Sequence, residues 1–377
     1  MKTTTEYLPL NETSNVLITG STGLIGGELL KRLISGVPKR AGSIWSLVRA
    51  NDRYHAQKRI LERLERSGIP AGTLDKEAFK ALRGDVTKEN WGLDSGDLNE
   101  LSQSVDIIIH CASDTSFLYS QEIYESNVAS IKNLIELAGN FKKPPLLIYI
   151  STAANVGDIS DENVTEEKLR SEDTEHHNLY TRSKADCEKL LKDANLPYLI
   201  FRPSIVLSAG IDDPEFASSI LWMIPLIYSF DALPIKGNSR IDVVPVGFVC
   251  ESILELLSKK DLKHRIYHIS AGREYASSVE EAFTIADHYY GKNKVELLSP
   301  ESWSRDDQKT YVNNRERREL YHRIKYYFPF LNMNVVYDNQ RLKEELPGLK
   351  IERLKTYMPN LLSQFDTRQA LKESVKP

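Results

Sequence analysis

Short apolar runs in the first part of the chain alternate with segments whose apolar residues recur at helical spacing. Each run is a nearly continuous stretch of Val, Ile and Leu, which is typical of strands that are buried on both faces. Strands that alternate with helices predict an α/β fold built on a doubly wound parallel sheet. The runs cover residues 16–19, 44–48, 82–86, 106–111, 146–151 and 198–202.

Three glycines follow the first run, where a strand is expected to turn into a helix. Gly20, Gly23 and Gly26 stand in the segment TGSTGLIG. In this spacing the first glycine allows a tight turn, the second lets backbone amides approach a pyrophosphate, and the third lets the helix pack on the strand. The helix N-terminus adds partial positive charge. The segment therefore predicts a dinucleotide-binding loop, whose other predicted contacts are Thr22, Leu24 and Ile25.

The residue after the second run indicates which nicotinamide cofactor binds. Proteins that bind NAD usually carry an acid there, which accepts hydrogen bonds from the ribose 2′-OH. This chain has Arg49 at that place, and a guanidinium group can pair with the 2′-phosphate of NADP. The sequence thus predicts NADP(H), with a solvated surface arginine as the alternative interpretation.

The alternation of predicted strands and helices ends after Pro203. The next segment is rich in Pro, Gly and Asp around one apolar stretch, residues 220–230, and a strand-like run follows at 242–246. From about Lys292 the chain is charged and aromatic. We predict a leader over residues 1–14, a Rossmann-like NADP(H)-binding domain over 15–205 with 240–290 partly returning to it, and a substrate-binding subdomain formed by 206–239 and 291–377.

A tyrosine and a lysine lie between the fifth and sixth runs. The spacing of Tyr180 and Lys184 puts both side chains on one face of a helix, one turn apart. A phenol with a pKa near about 10 exchanges protons poorly at neutral pH, and a nearby ammonium group favours the phenolate. We expect the two to form a catalytic pair, with Lys184 also holding the nicotinamide ribose.

Two hydroxyl residues end the fifth run, at the carboxyl edge where open parallel sheets bind their ligands. We expect Thr152 to bind a carbonyl oxygen there and Ser151 to lie behind it. Ordinary capping of the strand end is the alternative interpretation.

Composition argues against several other functions. The 377 residues carry a formal charge of -4, without the basic excess of a nucleic-acid-binding protein. No apolar stretch approaches the roughly 20 residues of a membrane-spanning helix, and the N-terminus lacks the apolar run of a secretory signal, so we expect a cytoplasmic protein. We expect no metal site, because Cys111, Cys187 and Cys250 are widely separated and His176 and His177 lack partner ligands.

Together these motifs resemble those of the extended short-chain dehydrogenases/reductases, over about residues 14–255. The chain is most similar to the thioester reductase domains that end carboxylic acid reductases and some nonribosomal peptide and polyketide synthetases, with fatty acyl-CoA reductases as more distant relatives. The segments that carry the resemblance are SLVRA from Ser46 with Arg59 further on, GDVT from Gly84, IHCAS from Ile109, NV from Asn127, YIST from Tyr149, YTRSK from Tyr180, FRPS from Phe201 and VPV from Val244.

The resemblance implies further contacts around the cofactor. It places Arg49 and Arg59 at the 2′-phosphate. Other positions that it implies are Asp85 and Val86 beside the adenine, Ala112 and Ser113 beside the ribose, Asn127 behind the catalytic lysine, and Pro203 after the sixth run. Gly247 departs from the family, which usually has an acid there.

The resemblance also implies an activity, the NADPH-dependent reduction of an acyl thioester to an aldehyde or alcohol. Because the chain starts close to its first strand, we expect the thioester to arrive on a separate acyl carrier protein or on coenzyme A. The alternative is another enzyme of the extended class, an epimerase of a nucleotide sugar or a ketoreductase. A sugar dehydratase is disfavoured, because Ala153 and Ala154 stand where it needs an acid and a base. A cofactor-sensing regulator is disfavoured, because it needs no Tyr–Lys pair.

Two other segments each have two interpretations. The apolar stretch 220–230 is expected to form core rather than an acyl channel. A basic run is expected to be a solvated helix face, with a carrier protein or coenzyme A phosphates as its alternative partners. It consists of Arg315, Arg317, Arg318, Arg323 and Lys325.

Overall fold

The structure is a computed structural model that describes residues 9–36, 41–70, 72, 74, 78–117, 120–160, 162–167, 174–208, 220–291 and 295–374, with side chains up to residue 365. Most of the predicted leader lies outside the described residues, as do residues 209–219 of the predicted substrate-binding subdomain.

Strands and short helices alternate along the described residues. The strands are β1 Val16–Thr19, β2 Ile44–Val48, β3 Phe79–Arg83, β4 Ile107–His110, β5 Leu146–Ile150, β6 Asn163–Val164, β7 Tyr198–Pro203, β8 Ile205–Leu207, β9 Ala232–Pro234, β10 Arg240–Ile241, β11 Val243–Pro245, β12 Ile266–Ile269, β13 Ser277–Ser278, β14 Glu296–Leu298 and β15 Val336–Tyr337. The α-helices are α1 Leu24–Ser35, α2 Arg53–Arg66, α3 Ser95–Ser104, α4 Gln121–Gly139, α5 Leu179–Asp193, α6 Met223–Ile227, α7 Val246–Leu257, α8 Gly272–Tyr275, α9 Val279–Tyr290, α10 Arg305–Tyr311, α11 Arg315–Ile324, α12 Phe328–Asn332, α13 Gln340–Glu345 and α14 Leu354–Ser374.

A parallel sheet of seven strands forms the centre of the described structure, in the order β12-β7-β5-β4-β1-β2-β3. The chain begins in the middle at β1, adds β2 and β3 on one side, and then adds the remaining strands on the other. This confirms the predicted doubly wound α/β fold. The order reverses between β1 and β4, and in open sheets the crevice at such a reversal is where ligands bind.

The third strand is displaced from its predicted position. The apolar run predicted it at residues 82–86, but β3 ends at Arg83. The chain turns at Gly84, where an added Cβ would lie 2.6 Å from the Leu47 side chain and 2.7 Å from the Trp91 carbonyl oxygen. The next N–H, of Asp85, donates to that carbonyl at 2.8 Å instead of to a neighbouring strand. Local packing therefore ends the strand before the apolar run is finished.

Helices cover both faces of the sheet. Along β1, Val16 and Ile18 point into the core beneath α1, α2 and α7, whereas Leu17 points into the core beneath α3, α4 and α5. All three side chains are buried. Because the strands are buried on both faces, their sequences are continuous apolar runs and do not alternate between apolar and polar residues.

A separate apolar cluster joins the C-terminal elements with the segment 220–230, including Leu221 and Phe230. The predicted division of the chain into domains stays a prediction. Phe283 of α9 belongs to this second cluster, whereas Leu342 of α13 and Leu346, which follows α13, belong to the core that contains Val16 and Ile18 of β1.

Candidate active site

A cleft of about 830 Å³ runs along the carboxyl ends of the strands, between the sheet and the C-terminal elements. The structure brings every residue that the sequence predicted for cofactor binding or catalysis to this one cleft. They are Gly20, Thr22, Gly23, Leu24, Ile25, Gly26, Arg49, Arg59, Asp85, Val86, Ala112, Ser113, Asn127, Thr152, Tyr180, Lys184 and Pro203. Their individual roles remain predictions.

The glycine loop forms a backbone cradle at one end of the cleft. Gly20 has a φ of 68°, and a Cβ there would lie 2.6 Å from the Ala112 nitrogen, so only glycine fits. The Gly23 N–H donates to the Gly20 carbonyl at 2.9 Å, which closes the turn. Among the described residues no side chain caps helix α1. Its first N–H groups are thus available to the phosphates of a dinucleotide.

Two guanidinium groups border the cleft at the end of β2. Arg49 is exposed, and the Arg59 side chain reaches across from α2 to donate to the Arg49 carbonyl oxygen. Both line the cleft. A phosphate at this edge of the cleft would meet two positive charges.

Asn127 on α4 ties the loop after β4 to helix α5. Its Oδ1 accepts hydrogen bonds from the Asp114 N–H at 2.8 Å and the Ser113 hydroxyl at 3.0 Å. Its Nδ2 donates to the Asp114 carbonyl and to the Ser183 hydroxyl, both at 3.0 Å. Ser183 directly precedes Lys184, so Asn127 fixes the part of α5 behind the lysine.

Helix α5 places the tyrosine and the lysine in one site. The Asn178 side chain caps this helix by accepting the Thr181 N–H at 2.8 Å, so Tyr180 lies in the first turn. Lys184 follows one turn later on the same face. Its Nζ lies 5.9 Å from the centre of the Tyr180 ring and 4.8 Å from that of Tyr149.

The protonation of this pair differs from the sequence prediction. The Lys184 Nζ donates to the Ile150 carbonyl oxygen at 2.8 Å, and burial lowers the pKa of Lys184 to about 8. Burial also raises the pKa of Tyr180. The expected lowering of the phenol pKa by the ammonium group is therefore wrong, because loss of solvent dominates. Tyr180 keeps its proton at neutral pH and can donate it.

The structure distinguishes the two hydroxyl residues after β5. Ser151 is buried, and its hydroxyl donates to Glu188 Oε1 at 2.6 Å. Thr152 Oγ1 accepts the Ala154 N–H at 3.3 Å and lines the cleft, which leaves the Thr152 proton for a ligand. This geometry favours Thr152 as the residue that binds a carbonyl oxygen.

A buried ion pair that the sequence analysis missed supports this end of the sheet. Arg202 on β7 donates from Nε to Glu188 Oε1 at 2.8 Å and from Nη2 to Oε2 at 2.6 Å. Burial alone raises the pKa of Glu188, but the charge and hydrogen bonds of Arg202 lower it to about 2. A charged residue inside an apolar strand was the available signal, because a buried arginine requires a partner.

Aromatic side chains form the opposite side of the cleft. Phe117 stacks on Tyr180, with ring centres 5.8 Å apart, and lies 4.8 Å from Tyr327 and from Phe330. Trp222 meets Tyr327 edge-on at 5.9 Å. We call Phe117, Trp222, Tyr327 and Phe330 the aromatic wall. The aromatic wall was not predicted from the sequence, although Phe117 lies in the same loop as the predicted contact Ser113.

The basic run divides into two parts. Arg315 pairs with Glu319 at 2.9 Å and Arg317 pairs with Asp231 at 2.8 Å, as on a solvated helix face. The Arg323 guanidinium instead lies 5.4 Å from the centre of the Trp222 ring, beside the aromatic wall. One member of the run thus borders the cleft region.

His176 and His177 each contact a polar side chain of the protein. His177 Nε2 lies 3.2 Å from Asp158 Oδ1, and His176 Nδ1 lies 3.2 Å from Thr181 Oγ1. The part of the chain that the structure describes contains no group of three or more His, Cys, Asp or Glu able to hold a metal ion.

Among the helices of the described residues, none has both the length and the apolar character needed to span a bilayer.

The fold and the cleft define a Rossmann-like protein that binds a dinucleotide. Over residues 18–253, more than half of its length, the chain matches the male sterility protein family of NAD-binding domains, and it belongs to that family. This establishes a nicotinamide dinucleotide as the class of cofactor.

Two curated relatives are similar to this chain over much of its length. The nonribosomal peptide synthetase asaC of Aspergillus flavus is 29% identical over 273 residues, 67% of this chain and 26% of the relative. The L-2-aminoadipate reductase of Saccharomyces cerevisiae is 26% identical over 361 residues, 89% of this chain and 25% of the relative. The chain thus spans about a quarter of the length of these relatives.

A solved structure is similar to the whole fold. The terminal R domain from the myxalamid PKS-NRPS biosynthetic pathway has a TM-score of 0.78 at 20% identity, covering 98% of this chain and 94% of that one. This structure confirms the predicted fold, and the family match with the two relatives confirms the predicted resemblance.

Proposed function

We propose that this chain is an NADPH-dependent thioester reductase, which converts an acyl group held as a thioester on a carrier protein or coenzyme A into an aldehyde or alcohol. One observation carries the proposal. The Thr152 hydroxyl, the Tyr180 phenol and the Lys184 ammonium group line the same cleft as the glycine loop. Membership of an NAD-binding family, and relatives that include a peptide synthetase and an aminoadipate reductase, support it.

The side chains suit reduction of a carbonyl group. NADPH, when bound, supplies the hydride that adds to the thioester carbonyl carbon. The Thr152 and Tyr180 hydroxyl groups would donate hydrogen bonds to the oxygen as negative charge develops on it. Because burial keeps the Tyr180 phenol protonated, it can pass a proton to that oxygen. The carbon–sulfur bond then breaks, the hydroxyl proton is released as the carbonyl re-forms, and the departing sulfur takes up that proton, so the products are an aldehyde and a thiol.

The preference for NADP(H) over NAD(H) is part of the proposal. Its support is the pair Arg49 and Arg59, which borders the cleft. At this position NAD-binding proteins usually carry a carboxylate that accepts a hydrogen bond from the ribose 2′-OH. Lys184 would hold the nicotinamide ribose from α5. A cytoplasmic location remains our prediction.

The test is an assay of NADPH oxidation with acyl thioesters of coenzyme A, of N-acetylcysteamine and of a carrier protein. We expect one NADPH to be oxidised for each aldehyde formed, or two for each alcohol, with the product identified by mass spectrometry. Simple ketones and nucleotide sugars serve as comparison substrates. If these are converted efficiently while every thioester is left untouched, the ketoreductase or epimerase alternative replaces the proposal.

A further inference from the structure

A second cavity, of about 70 Å³, lies among the C-terminal elements beside the cleft. We call it the apolar pocket. Met223 and Ile227 of α6, Phe283 and Ala286 of α9, and Met358 of α14 contribute to its lining. Every described side chain that lines it is apolar except Tyr228, whose hydroxyl donates to Asp287 Oδ1 at 2.7 Å. The pocket therefore offers a ligand a hydrocarbon surface.

The apolar pocket adjoins the cleft that holds the proposed active site. Ile220, Met223, Ile241 and Leu331 line both the pocket and the cleft. Leu331 follows Phe330 of the aromatic wall, and that wall reaches Tyr180 through Phe117. Aromatic and apolar side chains thus lie between the proposed carbonyl site and the pocket. Protein interiors contain few voids larger than a water molecule, so open volume beside the cleft needs a reason.

We propose that the apolar pocket receives the hydrocarbon tail of the acyl group, which makes the substrate an unbranched aliphatic thioester. This inference rests on the proposed function. A charged or amide-bearing acyl group would be buried there without hydrogen-bond partners, which is unfavourable. A cavity of about 150 Å³ is known to hold benzene, so the pocket, at about half that volume, suits a narrow chain of a few methylene groups.

The direct test is the dependence of kcat/KM on chain length, measured with N-acetylcysteamine thioesters from acetyl to dodecanoyl. Each methylene group that enters the pocket should raise kcat/KM about fourfold until the pocket is full. The polar succinyl thioester should be a poorer substrate than butyryl.

Variants in α9 locate the effect. Ala286→Leu fills the pocket and should lower kcat/KM for octanoyl about tenfold or more, because several methylene groups lose their place. The acetyl substrate should be unaffected. Thr284→Leu introduces the same side chain on the exposed side of the same helix, and should change neither substrate. Phe283→Ala enlarges the pocket and should move the optimum to longer chains, which keeps the test informative if Ala286→Leu folds poorly.

Binding of octanoate, measured by calorimetry, separates this inference from the proposed function. If no thioester is reduced but octanoate binds more tightly than butanoate, and Ala286→Leu abolishes that difference, the pocket assignment holds and the proposed activity fails. If chain length affects neither turnover nor binding, or if succinyl is preferred to butyryl, the pocket does not receive a hydrocarbon tail and the inference is overturned.

Discussion

On the sheet side of the cleft, polar side chains are held by hydrogen bonds, whereas on the C-terminal side aromatic and aliphatic side chains are held by packing. Asn127 makes hydrogen bonds with both ends of its amide, and Lys184 is tied to the Ile150 carbonyl. Phe117 and Tyr327 instead meet through stacked rings. Hydrogen bonds fix direction, while apolar contacts are non-directional. The first side suits chemistry, and the second suits selection of an acyl group.

This difference leads to different expectations for mutations. On the sheet side, each hydrogen bond depends on a single donor or acceptor atom. A substitution that removes this atom removes the whole interaction and should have a large effect. A ring on the C-terminal side shares its contacts with several neighbours, so its replacement should have a graded effect. The following predictions test this contrast, from the largest expected effect to the smallest.

Tyr180→Phe should have the largest effect. It removes the proton donor and keeps the ring that stacks on Phe117, so turnover should fall by about 10² to 10⁴ while NADPH affinity is retained. Steady-state kinetics and a fluorescence titration of NADPH measure the two quantities. Tyr124→Phe is the matched control, since the Tyr124 hydroxyl binds Asp186 away from the cleft. Near-normal turnover of Tyr180→Phe would place the chemistry elsewhere.

The sequence predicted the sheet side better than the C-terminal side for a physical reason. The glycine loop and the Tyr–Lys pair depend on backbone geometry within one turn or one helix, which leaves a local pattern. The aromatic wall joins Phe117, Trp222 and Tyr327, which are far apart along the chain, and no local pattern records their contact. The pKa of Tyr180 was predicted in the wrong direction because burial, which dominates it, arises only from tertiary packing. The displacement of β3 has the same origin.

Arg202→Met tests how strongly the sheet side depends on its buried charges. The substitution leaves the Glu188 carboxylate buried without its main partner, which should lower the free energy of unfolding by about 3 to 5 kcal/mol. Denaturation with urea measures the loss. The double variant Glu188→Leu with Arg202→Met should be more stable than Arg202→Met alone, because no unpaired charge remains.

The Arg202–Glu188 ion pair also makes the stability of the folded protein depend on pH. The pKa of Glu188 is about 2 in the folded protein, below its ordinary value of 4.5. Its stabilising contribution is therefore complete above about pH 4.5 and is lost as the pH falls toward 2. This part of the acid dependence should disappear in Arg202→Met, and its persistence would contradict the assignment to Glu188.

Arg49→Asp tests the cofactor end of the sheet side. Loss of a charge-assisted hydrogen bond, together with repulsion between a carboxylate and the 2′-phosphate, should weaken NADPH binding about 10- to 100-fold. NADH lacks that phosphate and should bind about as before. Lys58→Asp makes the same change of charge on α2 outside the cleft, and should affect both cofactors little. Equal affinity of the unmodified protein for NADPH and NADH would count against the role of Arg49.

Phe117→Leu should have the smallest effect, because it tests the aromatic wall. The leucine keeps an apolar side chain and removes the ring stacking with Tyr327 and Phe330, and an aromatic pair contributes about 0.5 to 1.5 kcal/mol beyond its buried area. The KM for an acyl thioester should rise about 2- to 10-fold, with little change in kcat or in NADPH affinity. Phe117 also stacks on Tyr180, so a second result is informative. If kcat falls as far as in Tyr180→Phe, the Phe117 ring orients the Tyr180 phenol. Phe117 would then contribute to the chemistry as well as to the selection of the acyl group.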